Sequence, residues 1–450
     1  MKRLFATLIL LSAATAAFAQ EFKTGYFLDN YTYSYRINPA TAIEGDSYYF
    51  FSLGIGNITG EARTNLSMFD FLLPDPTDPG MYLFGLTDSN VSYQDAVKGF
   101  ADVNKIIFGL NENILSFGHH GDESRWTVEL NLRTDNRMKI PGDFFRGTKA
   151  ALLSLSNDDS AAQHYDFKDL SLNSSTYGEL AASYSSKIGD YVTLGGAVKA
   201  LFGIASTRYS LSLTVDPRSD VPDKITAKGD GNFQLAFPVD LDLPEKQIGG
   251  QSYYDFDPIY DGTYSFANRW KGKKGLPGFG LAFDLGLTVE PTDNLYIEAS
   301  ILDLGFMNWK AQENSRFNVN GNVDKYTDVF AFEELSGKRY THLLTWTAHL
   351  GAKYRMPFYD RLSVGFLGTM QPLFKEARLG IDVTPADWVS IAVSGAINDF
   401  GPDFGAALNL RFLPGINFFV GTDALVFKFK DGMPVGNLST AVNGGLTIVF

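Results

Sequence analysis

Residues 378–412 read RLGIDVTPADWVSIAVSGAINDFGPDFGAALNLRF. Leu379, Ile381 and Val383 alternate with Arg378, Gly380 and Asp382. After the turn Thr384–Asp387, Val389, Ile391 and Val393 alternate with Ser390, Ala392 and Ser394. A loop of Gly, Asp and Pro follows, and then Phe404, Ala406, Leu408, Leu410 and Phe412 alternate with Gly405, Ala407, Asn409 and Arg411. A period of two is β-strand, with successive side chains on opposite faces. A soluble half-buried strand alternates too, so length and the polar face decide between the two. Runs of about nine or ten residues match a tilted strand crossing a bilayer, whereas soluble strands average about five or six. A face of Arg, Asp and Asn among small residues suits a wet lumen better than a second packed layer.

The same pattern recurs outward from this stretch. Trp126, Val128, Leu130 and Leu132 oppose Arg125, Thr127, Glu129, Asn131 and Arg133, and Leu180, Ala182 and Tyr184 oppose Glu179, Ala181 and Ser183. A Gly189-Asp190 turn leads into Val192, Leu194 and Val198 against Thr193, Ala197 and Lys199. Phe279 to Val289 alternates against Gly280, Ala282, Asp284 and Gly286, and a Pro-Thr-Asp turn joins it to a strand in which Glu298 opposes Ile297 and Ala299. Leu344 to Tyr354 opposes Thr345, His349, Lys353 and Arg355. Counting gives strands starting near residues 47, 106, 124, 176, 191, 278, 294, 342, 361, 377, 388, 404, 416 and 440. The expected fold is all-β, a closed antiparallel transmembrane barrel of fourteen strands over residues 47–450. Short turns near Gly189, Thr292, Phe358, Ala386 and Pro414 alternate with longer connections, as in barrels with short periplasmic turns and long external loops. The excursions are read over Thr59–Asn104, Thr207–Lys274 and Asp303–Tyr340, the second with an extra hairpin above the membrane. Short helices are expected near Tyr93–Val103 and Phe144–Leu155, and the alternation over Lys105–Gly118 is broken.

Composition agrees. Aromatics make up 14% and glycines number 44, while only 20% of residues are charged, which suits aromatic girdles and Gly-rich strands. The net charge of −13 argues against a nucleic-acid partner. Lys2 and Arg3, an apolar run to Ala17 and the small-residue site Ala17-Phe18-Ala19 read as a secretory signal peptide over 1–19. With no Cys there is no lipidated cysteine, disulfide or thiolate metal site. Residues 20–46, rich in Tyr, Asn and Asp, lack alternation; they are either a solvated arm or a plug folded into the lumen.

The charges at Arg125, Glu129, Arg133, Glu179, Lys199, Asp284, Glu298, Lys353, Arg355, Arg378, Asp382 and Arg411 fall by register on the lumen face. Both signs are present. They form either a paired network bracing wall and plug, because unpaired buried charge is costly, or a polar permeation path. Fourteen strands enclose more than wall side chains fill, so a plug or water must occupy the rest.

Catalytic and metal candidates are few. His342 and His349, an odd number apart in one strand, are expected on opposite faces and unable to share a metal. His119-His120 is placed in a solvated turn without a third ligand. His349 with Glu298 or Asp284 is the one conceivable hydrolytic dyad, for which a structural polar bridge is the simpler account. Asn318–Asp324 lacks the closing glutamate of a calcium loop, and Asp255, Asp257 and Asp261 read as solvated loop acids. No catalytic residue, metal or cofactor is expected.

Asn38-Pro39-Ala40 near the mature N-terminus, a barrel of this length and the terminal Phe450 resemble the long-chain fatty-acid transporter superfamily of FadL-like barrels. Tyr31–Ala40 before an aromatic first strand, and Leu302-Asp-Leu-Gly-Phe-Met-Asn-Trp309, resemble an uncharacterised family of Bacteroidota outer-membrane barrels. The superfamily resemblance implies fourteen strands, an N-terminal plug carrying Asn38, Pro39 and Ala40, and diffusion of hydrophobic compounds through a side opening in the outer membrane. A related branch serves type IX secretion as a shuttle. Phe450 resembles the C-terminal signature that barrel assembly machinery reads. The expected partners are therefore outer-membrane lipid, that machinery, and either a small amphiphilic solute or a surface protein.

Overall fold

The computed structural model describes residues 21–42, 47–75, 77–78, 80–153, 164–216, 224–241, 245–248, 251–254, 270–273, 275–324, 333–334, 339–413, 415–425, 429–430, 433–434 and 438–450. The signal-peptide reading of 1–19 and the acids Asp255, Asp257 and Asp261 lie outside them. Fourteen strands follow one another around a ring. They are β1 (Tyr48–Leu53 continued by Ile58–Thr64), β2 (Val103–His120), β3 (Ser124–Pro141), β4 (Leu170–Ile188), β5 (Val192–Asp216), β6 (Gly278–Thr292) and β7 (Leu295–Lys310). The circuit continues through β8 (Arg339–Leu343 continued by Thr347–Arg355), β9 (Leu362–Gln371), β10 (Phe374–Ala386), β11 (Val389–Asn398), β12 (Gly401–Leu413), β13 (Ile416–Thr422) and β14 (Leu438–Val449). Every neighbouring pair is antiparallel. The ring closes because β14 pairs with β13 (Ile416↔Ile448) on one side and with β1 (Phe51↔Ile448, Ile58↔Gly444) on the other. Closure leaves no open edge, which is what an apolar solvent demands of a sheet.

Alternation sets the two faces. Leu281, Leu285, Leu379 and Ile448 are exposed outward, while Asp284, Arg378 and Asp382 are buried inside the ring. At the end carrying the short turns, Tyr49, Tyr191, Phe358, Trp388 and Phe450 are exposed and form an aromatic belt, as expected of a bilayer interface. β4 and β5, 19 and 25 residues long, are roughly twice the bilayer span and project past it at the other end. There, the end of β5 pairs with Lys224–Ala236, which pairs in turn with Glu313–Asp324, making a three-stranded arm. The Asn318–Asp324 stretch is thus strand. An apolar cap of Leu66, Leu86, Phe100, Phe145 and Leu213 sits at the same end, over the helix Gly142–Leu153. In the cap, Lys149 donates to the carbonyls of Gly85 and Asp88, and burial holds its pKa below the ordinary lysine value.

Four local expectations are corrected. The excursion expected from Thr59 begins later, because Ile58–Thr64 continues β1. Its outward face there carries Gly60, Ala62 and Thr64, so no apolar period marks it. The loop expected from Asp303 is strand to Lys310. The broken alternation over Lys105–Gly118, by contrast, is as expected; its cause is a bulge between Asn113 and Leu115, where one extra residue shifts the faces. The helix at Tyr93 ends at Val97, and His119 and His120 complete β2 rather than a turn.

Candidate functional site

The interior is occupied. Residues 21–42 run inside the ring with two 3-10 turns, Thr24–Tyr26 and Ser34–Arg36. Their aromatic residues are spaced too irregularly for a strand and pack as a cluster: Phe22, Phe27, Tyr31, Tyr33 and Tyr35 meet Phe50 and Phe419 of the wall. Tyr31 meets Phe419 edge-on at 5.0 Å. The wall makes room with glycine. A Cβ at Gly380 would lie 2.4 Å from the Phe27 ring, and one at Gly286 would lie 2.2 Å from Asn38 Oδ1. Gly195, Gly351 and Gly421 likewise face Pro39, Tyr26 and Phe22. Any larger residue would force those groups apart.

Polar contacts fix the segment along its length. Asp423 accepts from the backbone N–H of Lys23 (2.8 Å) and of Thr24 (2.6 Å). Lys353 Nζ donates to Asp29 (2.6 Å) and to the Phe27 carbonyl (2.9 Å). Tyr33 donates to Ser52 (2.9 Å), Tyr35 donates to Glu129, and Arg36 bonds Glu129 (2.9 Å) and Asn131 (2.6 Å). Asn38 Nδ2 donates to Thr288 and Glu298, both at 3.0 Å, while its Oδ1 accepts from the Ala40 N–H (3.0 Å). Thr288 closes that loop by donating to the Ala40 carbonyl (2.6 Å). Asn38, Pro39 and Ala40 thus form a turn seated on β6 and β7.

Two ionic groups carry most of the buried charge. In the first, Arg133 makes a two-pronged bond to Asp303 (2.8 and 2.6 Å) and a third to Glu179 (2.7 Å). Lys199 bridges Asp284 (2.6 Å) and Asp303 (2.7 Å). In the second, Arg63 meets Glu61 (2.8 Å) and Asp403, Lys23 meets Glu61 (3.4 Å), and Arg378 meets Glu376 (2.9 Å). Elsewhere, Arg125 bonds His120 (2.8 Å), Arg355 lies over the Tyr296 ring, Asp382 is fully buried, and Arg411 is half-buried near the end of β12. Charge-assisted bonds of this density rigidify a low-dielectric interior.

Sequence reasoning missed Glu61, Arg63, Asp303, Glu376 and Asp403 on the wall, and Lys23, Asp29 and Arg36 on the segment. Glu376 lies two residues before Arg378, so extending that register by one step finds it. Asp303 is different. Leu302 and Asp303 are both buried, Asp303 has φ of 60°, and the β6–β7 pairing skips Asp284. This bulge turns Asp303 inward, where its N–H bonds Asp284 Oδ1 (2.8 Å). Strict alternation placed it outside any strand.

At the same level, β8 bends inward while remaining paired with β7 on either side. Leu344–Trp346 belong to neither half of the strand. The Leu344 N–H bonds the Gly305 carbonyl (2.9 Å), and Thr345 reaches across the lumen to Asp135 of β3 (2.6 Å). Above this inward bend lies an apolar group of Tyr177, Leu201, Met307, Trp309, Tyr340 and Leu344. β7 and β8 keep one pairing register through the bend (Phe306↔Leu343 on one side, Leu302↔Thr347 on the other). Both strands exchange their inward and outward faces there, so that His342 stacks beside Trp309 and Tyr340 on the inner side while His349 is buried inside as well. The expectation of opposite faces is therefore wrong. His349 bonds Glu21 (2.7 Å) and Thr369 (3.1 Å) rather than Glu298 or Asp284, so the conceivable dyad is not assembled.

Between the segment and the first ionic group a cavity of about 40 Å³ is lined by Arg36, Glu129, Arg133, Glu179, Lys199 and Asp303. That is room for very few waters.

Comparison with curated proteins finds no match. Among solved structures the chain is similar to the toluene transporter TbuX of Ralstonia pickettii (10% identity over 92% of this chain and 91% of that one, TM-score 0.41). It is also similar to the monoaromatic hydrocarbon channel CymD (10% identity, 94% of both chains, TM-score 0.43) and to a FadL homologue of Pseudomonas aeruginosa (11% identity, 92% and 91%, TM-score 0.41). At these scores the architecture rests on the closed ring of strands described above, which makes the protein an integral outer-membrane β-barrel. Residues 39–423 match the model of a family of unknown function, DUF5723, and the chain belongs to that family.

Proposed function

We propose that the protein is a non-enzymatic uptake barrel for small hydrophobic or amphiphilic solutes. Such solutes enter at the inward bend of β8, while residues 21–42 plug the axis. The observation that carries this reading is the inward bend at Leu344–Trp346, where Thr345 reaches Asp135, beside the apolar group of Met307, Trp309 and Tyr340. An aqueous solute gains nothing from those surfaces, whereas an apolar one gains roughly 25 cal/mol for each Å² it buries. The charges form the braced network rather than a path, because nearly all the strongly buried ones are held by partners on the wall or the plug. Residues 1–19 direct export, and Phe450 presents the chain to the assembly machinery.

The chain has no native Cys, so Asp135→Cys with Thr345→Cys can tether the bend without side reactions. The assay uses vesicles whose outer leaflet is lipopolysaccharide, which slows unaided entry of a fluorescent aromatic probe. Expected is probe entry several-fold above barrel-free vesicles with negligible ion conductance, lost on oxidation and regained on reduction. Entry that ignores the tether, or equals that of empty vesicles, sinks the reading. A second reading, a scaffold barrel that holds a surface protein, draws on the three-stranded arm beyond the membrane. Stoichiometric co-purification of such a protein, together with absent probe entry, favours it.

A further inference from the structure

The lipid-facing side of β8–β12 carries a concavity that the uptake reading does not use. Its volume is about 550 Å³, and it is lined by Tyr354, Val364, Phe366, Leu379, Ile381 and Phe404, with its floor at Gly365, Gly380 and Gly395. Gly395 points outward with nothing within 4 Å of where a Cβ would stand. On its flanks Leu379 (66% exposed) and Ile397 (75% exposed) rise as ridges. A sheet whose outward positions are all Leu, Ile or Phe presents an even surface; glycine at one of them leaves a slot.

We infer that this slot is a binding seat for an acyl chain of a phospholipid in the inner leaflet. Three observations select that occupant. The lining is almost wholly apolar and lies on the outward face, where hydrocarbon is the solvent. It opens toward the short-turn end, where Tyr354 is one residue from the end of β8 and Ile381 and Val393 are five residues or fewer from the β10–β11 turn. From there it runs inward along the sheet to Gly395, deeper in the strand and paired with Leu379 and Phe404, as a chain entering from headgroups at that end would. Short turns are periplasmic in these barrels. Finally, that end presents Arg361 and Asp387, bonded at 2.7 Å and both exposed, opposite charges that complement the phosphate and ammonium of a zwitterionic headgroup. Trp388 and Phe358 beside them occupy headgroup depth.

The test is native mass spectrometry of the full chain in mild detergent with added phosphatidylethanolamine. The wild type is expected to retain one lipid tightly, and Gly395→Phe, which fills the slot from the lipid side, to weaken retention about tenfold. Val442→Phe, outward on β14, is expected to retain it as the wild type does. Heat-modifiable migration on a gel establishes that both variants are folded. Equal retention by Gly395→Phe and the wild type overturns the seat. Preferential retention of lipopolysaccharide overturns the choice of leaflet. Neither result bears on probe entry at β8, so this inference and the uptake reading fail separately.

Discussion

Asp303 holds two cations at once and does so from a backbone conformation that few side chains adopt. Asp tolerates the left-handed region better than most residues, and here the same residue supplies the acceptor shared by Arg133 and Lys199. Asp303→Ala leaves both cations short of a partner in a buried site, where breaking a pair costs about 3–5 kcal/mol. The expected outcome is a large drop in the temperature at which the heat-modifiable band is lost. Asp303→Asn, which keeps the backbone preference and one acceptor, should lose less. If the alanine variant melts with the wild type, the first ionic group does not brace the wall. Gly380 makes the complementary case through volume. Gly380→Val drives a side chain into Phe27, an overpacking worth about 1–3 kcal/mol. It should render the N-terminal segment cleavable by protease from the periplasmic side; continued protection would mean that the wall and not the segment gives way.

At the scale of an element, residues 21–42 are joined to inward-facing groups on strands around the whole ring, from Glu61 of β1 to Asp423 just beyond β13. A gate that swung free would have to break these contacts together and expose an aromatic cluster. The segment is therefore expected to stay seated while solute passes. Asn38→Cys with Thr288→Cys, at positions whose side chains meet at 3.0 Å, tethers the segment to β6. Oxidised protein should take up probe within about twofold of the reduced form, a difference under ~0.5 kcal/mol. Loss of uptake on oxidation, with recovery on reduction, would show that the segment moves. The bend in β8 and the bulge at Leu302–Asp303 lie side by side, so the wall's irregularities gather in one place. Bulges at such positions re-aim side chains, as this one does for Asp303.

For the whole molecule, closure rests on a short seam. β1 is interrupted after Leu53, where Gly54 has φ of 77°, and β14 spans the gap by pairing with both halves. The terminal residue completes the seam: the N–H of Phe450 bonds the carbonyl of Tyr49 (2.9 Å), the reverse bond is 2.8 Å, and the rings stack. Deleting Phe450 removes both bonds and the lipid-facing aromatic together. The expected result is a several-fold fall in the heat-modifiable fraction recovered from outer membranes, with the remainder trapped unfolded in the periplasm. Normal recovery would assign closure to the rest of β14 alone.

The alternation of Arg378–Phe412 was enough to read strand type, face and membrane solvent, because the bilayer imposes one rule on every residue it touches. The same register placed Arg133, Glu179, Lys199 and Arg378 on one face without any coordinates. Where the outward residues were small, as at Gly60 and Ala62, or where one extra residue shifted the faces, as at Asn113 and Asp303, that rule had nothing to act on. The course of residues 21–42 was beyond it altogether. Their aromatic residues have no period, and their seat is assembled from glycines and carboxylates lying hundreds of residues away along the chain. Only the closed ring brings Gly195, Gly286, Gly380 and Asp423 to one cavity, and only there does the segment find partners for its buried polar groups.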